Sequence, residues 1–570
     1  METPDARDGT PMDIVAKQRG EAGGISGGGG GGGGDGGGGG GGGGDGVHED
    51  LRRMFTFYEI DYHVPKSPPS SVHAKWLVGL GVDEELVRCP MPRVRLYGRQ
   101  RACDGGRSVC CIVHGFLPYC YAKVDTARRE ALVAASGSEK AACADIAKAL
   151  TDAIRSAPPS AAEYTRGGGG GPARFRKTPS SDARIVASVK FVHRTDLYYY
   201  HADAEWFVHV EFLDPTHVAR AAEVIRARTK AVAATDDTTA LGVIVRGGDD
   251  VEPMYEANVD FVVRFGVDCG LPGCSWVSID KPALTTRMAN DDYRTTSCTV
   301  EIHAYYTALR RVDAVLESGP YSTLYLDIEC TSLTGEFPLP GQDPVISIGC
   351  FTKAHGDDAT QRRVVFALRG SDTIDRDDGG GDGGDDDDDT RPVVRMYDAE
   401  GDMLLSLRNF IVNNDFDVIC GYNVKQFDLW YLYERARAIG VHETFFHMGR
   451  TVYNRMTVTE STFSNRAMGK KENKCIKIQG RVIFDLFVQI NRDHKLRSYT
   501  LNSVARHFLK EEKDVCIVCV CVCACAFACA TVTSLWTLPC RVLPGSCPCL
   551  QSDTTLHTAR DTASCTRCTP

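Results

Sequence analysis

Two carboxylates two positions apart, Asp327 and Glu329, lie in Leu324-Tyr-Leu-Asp-Ile-Glu-Cys330, and a third, Asp428, closes Gly421-Tyr-Asn-x-x-x-Phe-Asp428 about a hundred residues later. On a β-strand, side chains two apart share a face. Tyr325, Asp327 and Glu329 therefore point one way, while Leu326 and Ile328 turn into the core. Carboxylates held about 6.6–6.8 Å apart on a rigid strand do not comfortably stay ionised without a cation between them. Hard oxygen ligands select Mg²⁺ or Mn²⁺, so the chemistry indicated is that of a metal-dependent nuclease. Alone, the pair also fits a solvent-facing acidic patch on an edge strand. Alone, Asp428 also fits a helix-start carboxylate favoured by the macrodipole. The three acids together, with Asn423 and Phe427 in step with Asp428, favour a site.

Such a site needs a sheet to hold it. Leu324–Glu329 and Val345–Phe351 read as strands joined across the Pro-rich Phe337–Pro344. Val364–Leu368 and Val393–Tyr397 read as a strand pair interrupted by an acidic insertion over residues 371–391. Asp402–Asn413 reads as a helix and Phe416–Cys420 as a buried strand. Phe427–Ile439 reads as a helix burying Leu429, Leu432, Tyr433, Ala436 and Ile439, with Gly440 at the C-cap. This order predicts an α/β domain with a mixed sheet over residues 316–515. Upstream, Arg93–Leu96, Ser108–Val113, Ile185–Val192 and Trp206–Phe212 read as strands. Thr126–Ile154 and Thr216–Ala234 have helical spacing, Gly167–Gly171 with Pro172 marks a linker, and Tyr255–Asp268 is an amphipathic segment. Together these predict a mixed α/β amino-terminal domain over residues 51–315.

The chain of 570 residues has room for several cores. Its net charge of −10 is matched by ten aspartates between Asp372 and Asp389, so the balance elsewhere is near zero and excludes no partner. Lys470–Lys477 and Arg492–Arg506 are locally basic, which suits a phosphate backbone. Residues 1–50 contain the glycine runs Gly27–Gly34 and Gly36–Gly44 and read as a disordered leader, without the charged-then-apolar pattern of a signal peptide. Thirteen of the 24 cysteines are scattered over the first 515 residues, as expected for reduced intracellular thiols.

The acidic unit resembles the 3′–5′ exonuclease domain of family B DNA polymerases, of the eukaryotic delta type and related large-DNA-virus enzymes. Asp327-Ile-Glu-Cys resembles the first exonuclease motif, continued by Gly335-x-Phe-Pro-x-Pro-x-x-Asp-Pro-Val-Ile-x-Ile348. Gly421-Tyr-Asn-x-x-x-Phe-Asp-Leu-x-Tyr-Leu432 resembles the second, and Lys495-Leu-Arg-Ser-Tyr-Thr-Leu-Asn502 with His507-Phe-Leu resembles the stretch before the third. Glu59-Ile-Asp-Tyr, Cys111-x-x-His-Gly-Phe-x-Pro-Tyr119 and Tyr255-Glu-Ala-Asn-x-x-Phe261 extend the likeness upstream. The resemblance implies a ribonuclease H-like α/β fold and two-metal proofreading of DNA in the nucleus. Its substrate would be a single-stranded 3′ primer end, with polymerase accessory subunits as partners and no membrane. It implies that Asp327 bridges two Mg²⁺ or Mn²⁺ ions, that Glu329 binds the one activating water, and that Asp428 holds the other. Asn423 and Phe427 would seat the terminal nucleotide. Asp485, in Arg481-Val-Ile-Phe-Asp485, also matches the family and reads as structural in preference to metal-binding.

The family's third motif, Tyr-x-x-x-Asp, has no match after Tyr499, the last tyrosine, and the motifs for nucleotidyl transfer are absent. His557-Thr-Ala-Arg-Asp561 approaches a related exonuclease pattern, but its aspartate falls one residue early. This exact chain is therefore expected to be weakly active or inactive alone, the alternative being a non-catalytic single-stranded DNA-binding fragment that retains the fold. Residues 516–570 form a Cys-rich tail whose Cys516–Ala530 alternates Cys with Val and Ala. A TG dinucleotide repeat read as TGT-GTG encodes Cys-Val alternation and TGC-GCG encodes Cys-Ala, which points to read-through into an intron or a frameshift. As a membrane anchor Cys516–Val532 is near the short limit, and Cys547, Cys549, Cys565 and Cys568 lack paired metal-ligand spacing. Transcript sequencing across codons 505–530 should reveal an alternative splice form lacking the repeat; an uninterrupted message with no such form would sink that account.

Overall fold

The computed structural model describes residues 54–157, 184–195, 203–231, 240–244, 254–280, 284–286, 294–313, 315, 319–332, 336–355, 357–369, 392–465 and 469–510. The leader, the Gly167–Gly171 linker, the acidic insertion 371–391 and the Cys-rich tail lie outside the described residues.

The first half runs through β1 (Phe55–His63), α1 (Ser71–Gly79), β2 (Arg93–Gln100), β3 (Ser108–His114), β4 (Tyr119–Lys123), α2 (Thr126–Ser136) and α3 (Glu139–Ser156). It continues through β5 (Val186–Thr195), β6 (Ala204–Phe212), α4 (Pro215–Ala231), β7 (Met254–Tyr255) and α5 (Phe261–Asp268). β8 (Trp276–Ile279), β9 (Leu284–Thr286), β10 (Val300–Tyr305) and β11 (Leu309–Arg311) complete it. Seven strands form one sheet in the order β11-β8-β1-β2-β3-β10-β9, and four form another in the order β5-β6-β4-β7.

Two segments divide more finely than their spacing indicates. Thr126–Ile154 is two helices, because Gly137 adopts a left-handed φ of 78° and Ser138 then caps α3, accepting the Ala141 N–H at 3.2 Å. Tyr255–Asp268 is likewise divided. Tyr255 ends β7, Glu256 turns through a φ of 60°, and the helix starts only after Asp260, whose carboxylate accepts the N–H groups of Val262 and Val263. In both segments a local turn and cap override an apolar periodicity that continues across the break.

The second half runs through β12 (Ser322–Cys330), β13 (Val345–Ala354), β14 (Asp357–Leu368), β15 (Val393–Tyr397), α6 (Glu400–Asn413), β16 (Val418–Gly421) and α7 (Asp428–Ala438). β17 (Thr457–Asn465), β18 (Gly469–Lys477), β19 (Val482–Asp485), α8 (Leu486–Asp493) and α9 (Leu501–Phe508) follow. Six strands form a mixed sheet in the order β15-β14-β13-β12-β16-β19. β12 pairs antiparallel with β13 and parallel with β16, which pairs parallel with β19. This is the mixed α/β, ribonuclease H-like arrangement expected. β12 is interior, which rules out an acidic patch on an edge strand. The β17–β18 hairpin was not anticipated beyond the basic character of Lys470–Lys477.

Both faces of β12 are covered. Leu324, Leu326 and Ile328 pack with Met403 and Leu407 of α6 and with Leu429 and Leu432 of α7. Tyr325, on the opposite face, packs with Cys420 of β16, Leu486 and Ile490 of α8 and Val504 of α9. Burying each such aliphatic side chain contributes about 1.5–3 kcal/mol. Gly440 follows α7 with a φ of 80°, where a C-cap glycine belongs. Among the described residues, no helix is long and apolar enough to cross a membrane.

A buried imidazole cluster joins α1 to the seven-stranded sheet. Nε2 of His114 on β3 lies 2.9 Å from Nδ1 of His303 on β10, and the His73 ring lies 4.3 Å from that of His303. Burial first, then the His303 imidazole, holds the His114 pKa well below the usual imidazole range. A base held neutral in the folded state takes up its proton on unfolding, so this contribution is present above the unfolded pKa of about 6.5 and lost below it. Glu59 acts in the opposite sense, since burial pushes its carboxyl up to about 7. The denaturation midpoint of the parent should therefore fall more steeply than that of His114→Gln between about pH 7.5 and 5.5. Identical slopes would show that His114 contributes nothing to the dependence.

Candidate active site

The two acidic motifs meet through a crossing of β12 and β16. Thr323, Leu324 and Tyr325 pair in register with Val418, Ile419 and Cys420, which leaves Asp327 and Glu329 one and two steps beyond the last pair on the same face. β16 ends at Gly421, where an added Cβ would lie 2.7 Å from the Leu326 carbonyl oxygen. Only glycine allows the chain to leave the sheet there. Asn423 then takes a left-handed φ of 61°, and its carbonyl accepts the N–H groups of Gln426 and Phe427 at 3.1 and 3.0 Å. The turn delivers Asp428 to the start of α7.

Asp428 is buried, and its Oδ1 accepts the Ile328 N–H at 3.0 Å. Ile328 is the residue between Asp327 and Glu329, so this hydrogen bond joins the first motif to the second. Burial, and after it the charge of Asp327, raises the Asp428 pKa well above the ordinary carboxylate range. Asp327 and Glu329 are partly exposed at the end of β12. A carboxyl that is dry on one side and faces a second carboxylate is where a cation would relieve the repulsion.

Asp485, at the end of β19, is engaged by backbone N–H groups. Its Oδ1 accepts the N–H groups of Asn423 and Phe487 at 2.9 and 3.1 Å, and its Oδ2 accepts that of Lys425 at 3.0 Å. Both oxygens are thus used to hold the turn that aims Asp428, and to cap α8. On the far side of that turn the Tyr422 hydroxyl donates to the Tyr499 carbonyl, and the Tyr499 hydroxyl donates to the His494 carbonyl at 2.8 Å. The segment before α9 is stapled in this way to the exit of β16.

An apolar wall lies beside the acids. Phe337 is 70% exposed, and its ring meets that of Phe427 edge-on at 5.6 Å. The connection carrying Phe337 is pinned from α6 and α7: Arg435 forks onto Glu400 at 2.9 and 2.8 Å and donates to the Pro340 carbonyl at 3.1 Å. The Tyr431 hydroxyl donates to the Asp343 carbonyl at 2.8 Å. Sequence reasoning identified Phe427 but missed Phe337. The signal was present, since an aromatic followed by Pro338 and Pro340 in the connection after the acidic strand has no core to enter. Lys474 of β18 places its ammonium 3.1 Å from the centre of the Trp430 ring, which anchors the basic hairpin to α7.

The fold therefore brings Asp327, Asp428 and Phe427 together, holds Asn423 by its backbone, and leaves Glu329 at the strand end. Among the described residues, no three His, Cys, Asp or Glu side chains already stand as a metal-binding group. The donor set nevertheless fits a hard divalent cation, because its members are carboxylates and the neighbouring negative charge raises Asp428.

The model of the DNA polymerase family B exonuclease domain matches residues 252–504, and that of the DNA polymerase delta catalytic subunit-like N-terminal domain matches residues 115–219. The chain is similar to the DNA polymerase delta catalytic subunit of Arabidopsis thaliana, with 32% identity over 74% of this chain and 33% of that protein. It is similar to those of Dictyostelium discoideum (30% identity over 75% of this chain and 33% of that protein) and Mesocricetus auratus (29%, 81% and 36%). The solved family B DNA polymerase of Pyrobaculum calidifontis aligns with 80% of this chain and 40% of that one, at a TM-score of 0.46 and 19% identity. A family B exonuclease domain, the class defined by these matches, is a metal-dependent nuclease. The chain belongs to the family B DNA polymerases, as an amino-terminal and exonuclease region of the delta type. It spans about a third of the length of the curated relatives it matches.

Because Asp428 must lose its proton to bind a cation, Mn²⁺ affinity should rise with pH through a range above that of ordinary carboxylates. Asp428→Asn should weaken binding by more than about tenfold and remove that part of the pH dependence, as read by electron paramagnetic resonance of free Mn²⁺. Unchanged affinity in Asp428→Asn would take that residue out of the site.

Proposed function

We propose that the chain carries the proofreading part of a delta-type replicative polymerase, removing nucleotides from mispaired 3′ ends of DNA in the nucleus. The observation that carries this reading is the hydrogen bond from the Ile328 N–H to Asp428, which gathers carboxylates from two distant motifs at one sheet end. Asp327, Glu329 and Asp428 would hold two Mg²⁺ or Mn²⁺ ions. Bound there, the ions would supply a water nucleophile and stabilise the attacking and leaving oxygens of phosphodiester hydrolysis. Phe427 and Phe337 offer the terminal base an apolar surface, and Asn423 lies in the turn between them and the sheet. A frayed end reaches such a wall more readily than a paired one, so unpairing sets the preference for mismatches. Residues 51–315 and 316–515 are proposed as the amino-terminal and exonuclease domains, with accessory polymerase subunits as further partners.

Three carboxylates, Asp327, Glu329 and Asp428, are assigned by this reading, and hydrolysis by these three alone is expected to be slow. With Mg²⁺ and a fluorescent duplex bearing a mispaired 3′ end, release should be stepwise from that end and fall to background in Asp327→Ala. Release that persists in Asp327→Ala would assign the activity elsewhere. The incomplete metal-binding group favours one second reading, a non-catalytic single-strand binder. Salt-dependent single-strand binding without any hydrolysis would select it.

A further inference from the structure

The four-stranded sheet of the amino-terminal half has a face not used by the exonuclease site. Its elements follow as β4, two helices, β5, β6, α4 and β7, with strand order β5-β6-β4-β7, the split βαβ arrangement. Cys120, Ala122, Val208, Val210 and Phe212 pack against residues of α3 and α4 on one side. Alternation along the strands sends Tyr119 and Tyr121 of β4, and Phe207 and His209 of β6, to the other side.

The pairing register lines up a single row across that face. Lys190 of β5 lies opposite His209 of β6, His209 opposite Tyr121 of β4, and Tyr121 opposite Tyr255 of β7. The His209 and Tyr121 rings are 4.9 Å apart and tilted by 38°, and Tyr119 closes on His209 at 4.8 Å. Tyr255 stands edge-on to Phe207 at 5.4 Å. Tyr119, Tyr121, His209 and Tyr255 are all partly exposed. The charges on this face are mostly satisfied: Lys123 pairs with Glu205, Arg264 pairs with Glu256 at 2.6 Å, and the Glu211 carboxylate accepts the Ser188 hydroxyl at 2.5 Å. Asp268 accepts the Tyr119 hydroxyl at 2.7 Å. Lys190 and Arg194, four apart on β5 and on the same face, have no anionic partner among the described residues.

We propose that this face binds single-stranded DNA, with bases stacked on His209, Tyr121 and Tyr255 and the phosphate backbone beside Lys190 and Arg194. Sheets of this topology read single strands by stacking bases on aromatics of the two central strands, here β4 and β6. A row of cation, imidazole and two phenols fits a polynucleotide, which presents phosphate and base side by side, and does not fit an acidic peptide. The choice of DNA rests on the proposed exonuclease function. With two cations unpaired among the described residues, binding is driven mainly by stacking, so its salt dependence is shallow, with a log–log slope of about −1.4 for two phosphates on a single strand.

The test uses the full chain and a small circular single-stranded DNA, which has no 3′ end to enter the exonuclease site, with divalent cations withheld. Fluorescence anisotropy should show binding that Tyr121→Ala weakens about tenfold and Tyr121→Phe preserves. Lys190→Glu, at an exposed position with no packing role, should weaken binding and lower the salt slope to about half. Hydrolysis of a saturating linear substrate should be unchanged in Tyr121→Ala. Undiminished affinity in both Tyr121→Ala and Lys190→Glu overturns the proposal, as does tighter binding of a circular RNA of the same sequence. A chain that binds the circle in this way but never hydrolyses linear DNA would select the non-catalytic reading of the exonuclease site and leave this face standing.

Discussion

Asp417 lies buried at the start of β16 and receives guanidinium groups from both halves of the chain, Arg99 of β2 at 2.5 Å and Arg450 at 2.7 Å. The same carboxylate accepts the Ser322 N–H at 2.8 Å, at the start of β12, and the Asp417 carbonyl accepts the Val482 N–H at 2.8 Å, at the start of β19. One side chain and its backbone thus tie together the beginnings of three parallel strands. Asp415 extends the junction to Arg450 at 2.8 Å and to Arg481, whose guanidinium is pushed down to about 10 by burial and by the charge of Arg450. Removing one member would strand a buried charge, at a cost of about 3–5 kcal/mol. With the strand starts fixed, the acids project from the opposite ends of those strands.

The site follows from that constraint through close approach. Because β12 and β16 start in register, the exit of β16 passes directly over Leu326, where only Gly421 fits. Asp485 then holds the turn by the backbone N–H groups of Asn423 and Lys425, and Asp428 reaches back to the amide between the two acids of β12. Each step uses a backbone group as donor, so the position of Asp428 depends little on side-chain freedom. The cost appears as charge: Asp428 is dry and sits beside Asp327, an arrangement that favours a cation over bulk water.

Much of this was legible along the chain. The strand at Leu324–Glu329, the helix after Phe427, its glycine cap at Gly440 and the mixed sheet all follow from local periodicity and turn chemistry, which are short-range signals. Two segments divide for a short-range reason as well. At Gly137-Ser138 and at Glu256–Asp260, a turn and a cap interrupt an apolar pattern that runs on undisturbed. The β17–β18 hairpin is rich in charged and polar residues and shows little apolar alternation to mark it as a strand pair.

The amino-acid sequence by itself determined which residues are the candidates for chemistry, because carboxylates two apart on a strand and a third at a helix start are visible as a pattern along the chain. It also determined the family, through motifs whose spacing is specific. Tertiary structure alone decided that β12 is an interior strand, that Asp428 is bonded to the amide between Asp327 and Glu329, and that Phe337 stands against Phe427. It also decided that Arg99, more than three hundred residues from Asp417 in the chain, closes the junction on which the sheet rests. Those facts depend on pairings between distant segments, and a linear pattern holds no record of which strand end a given turn will reach.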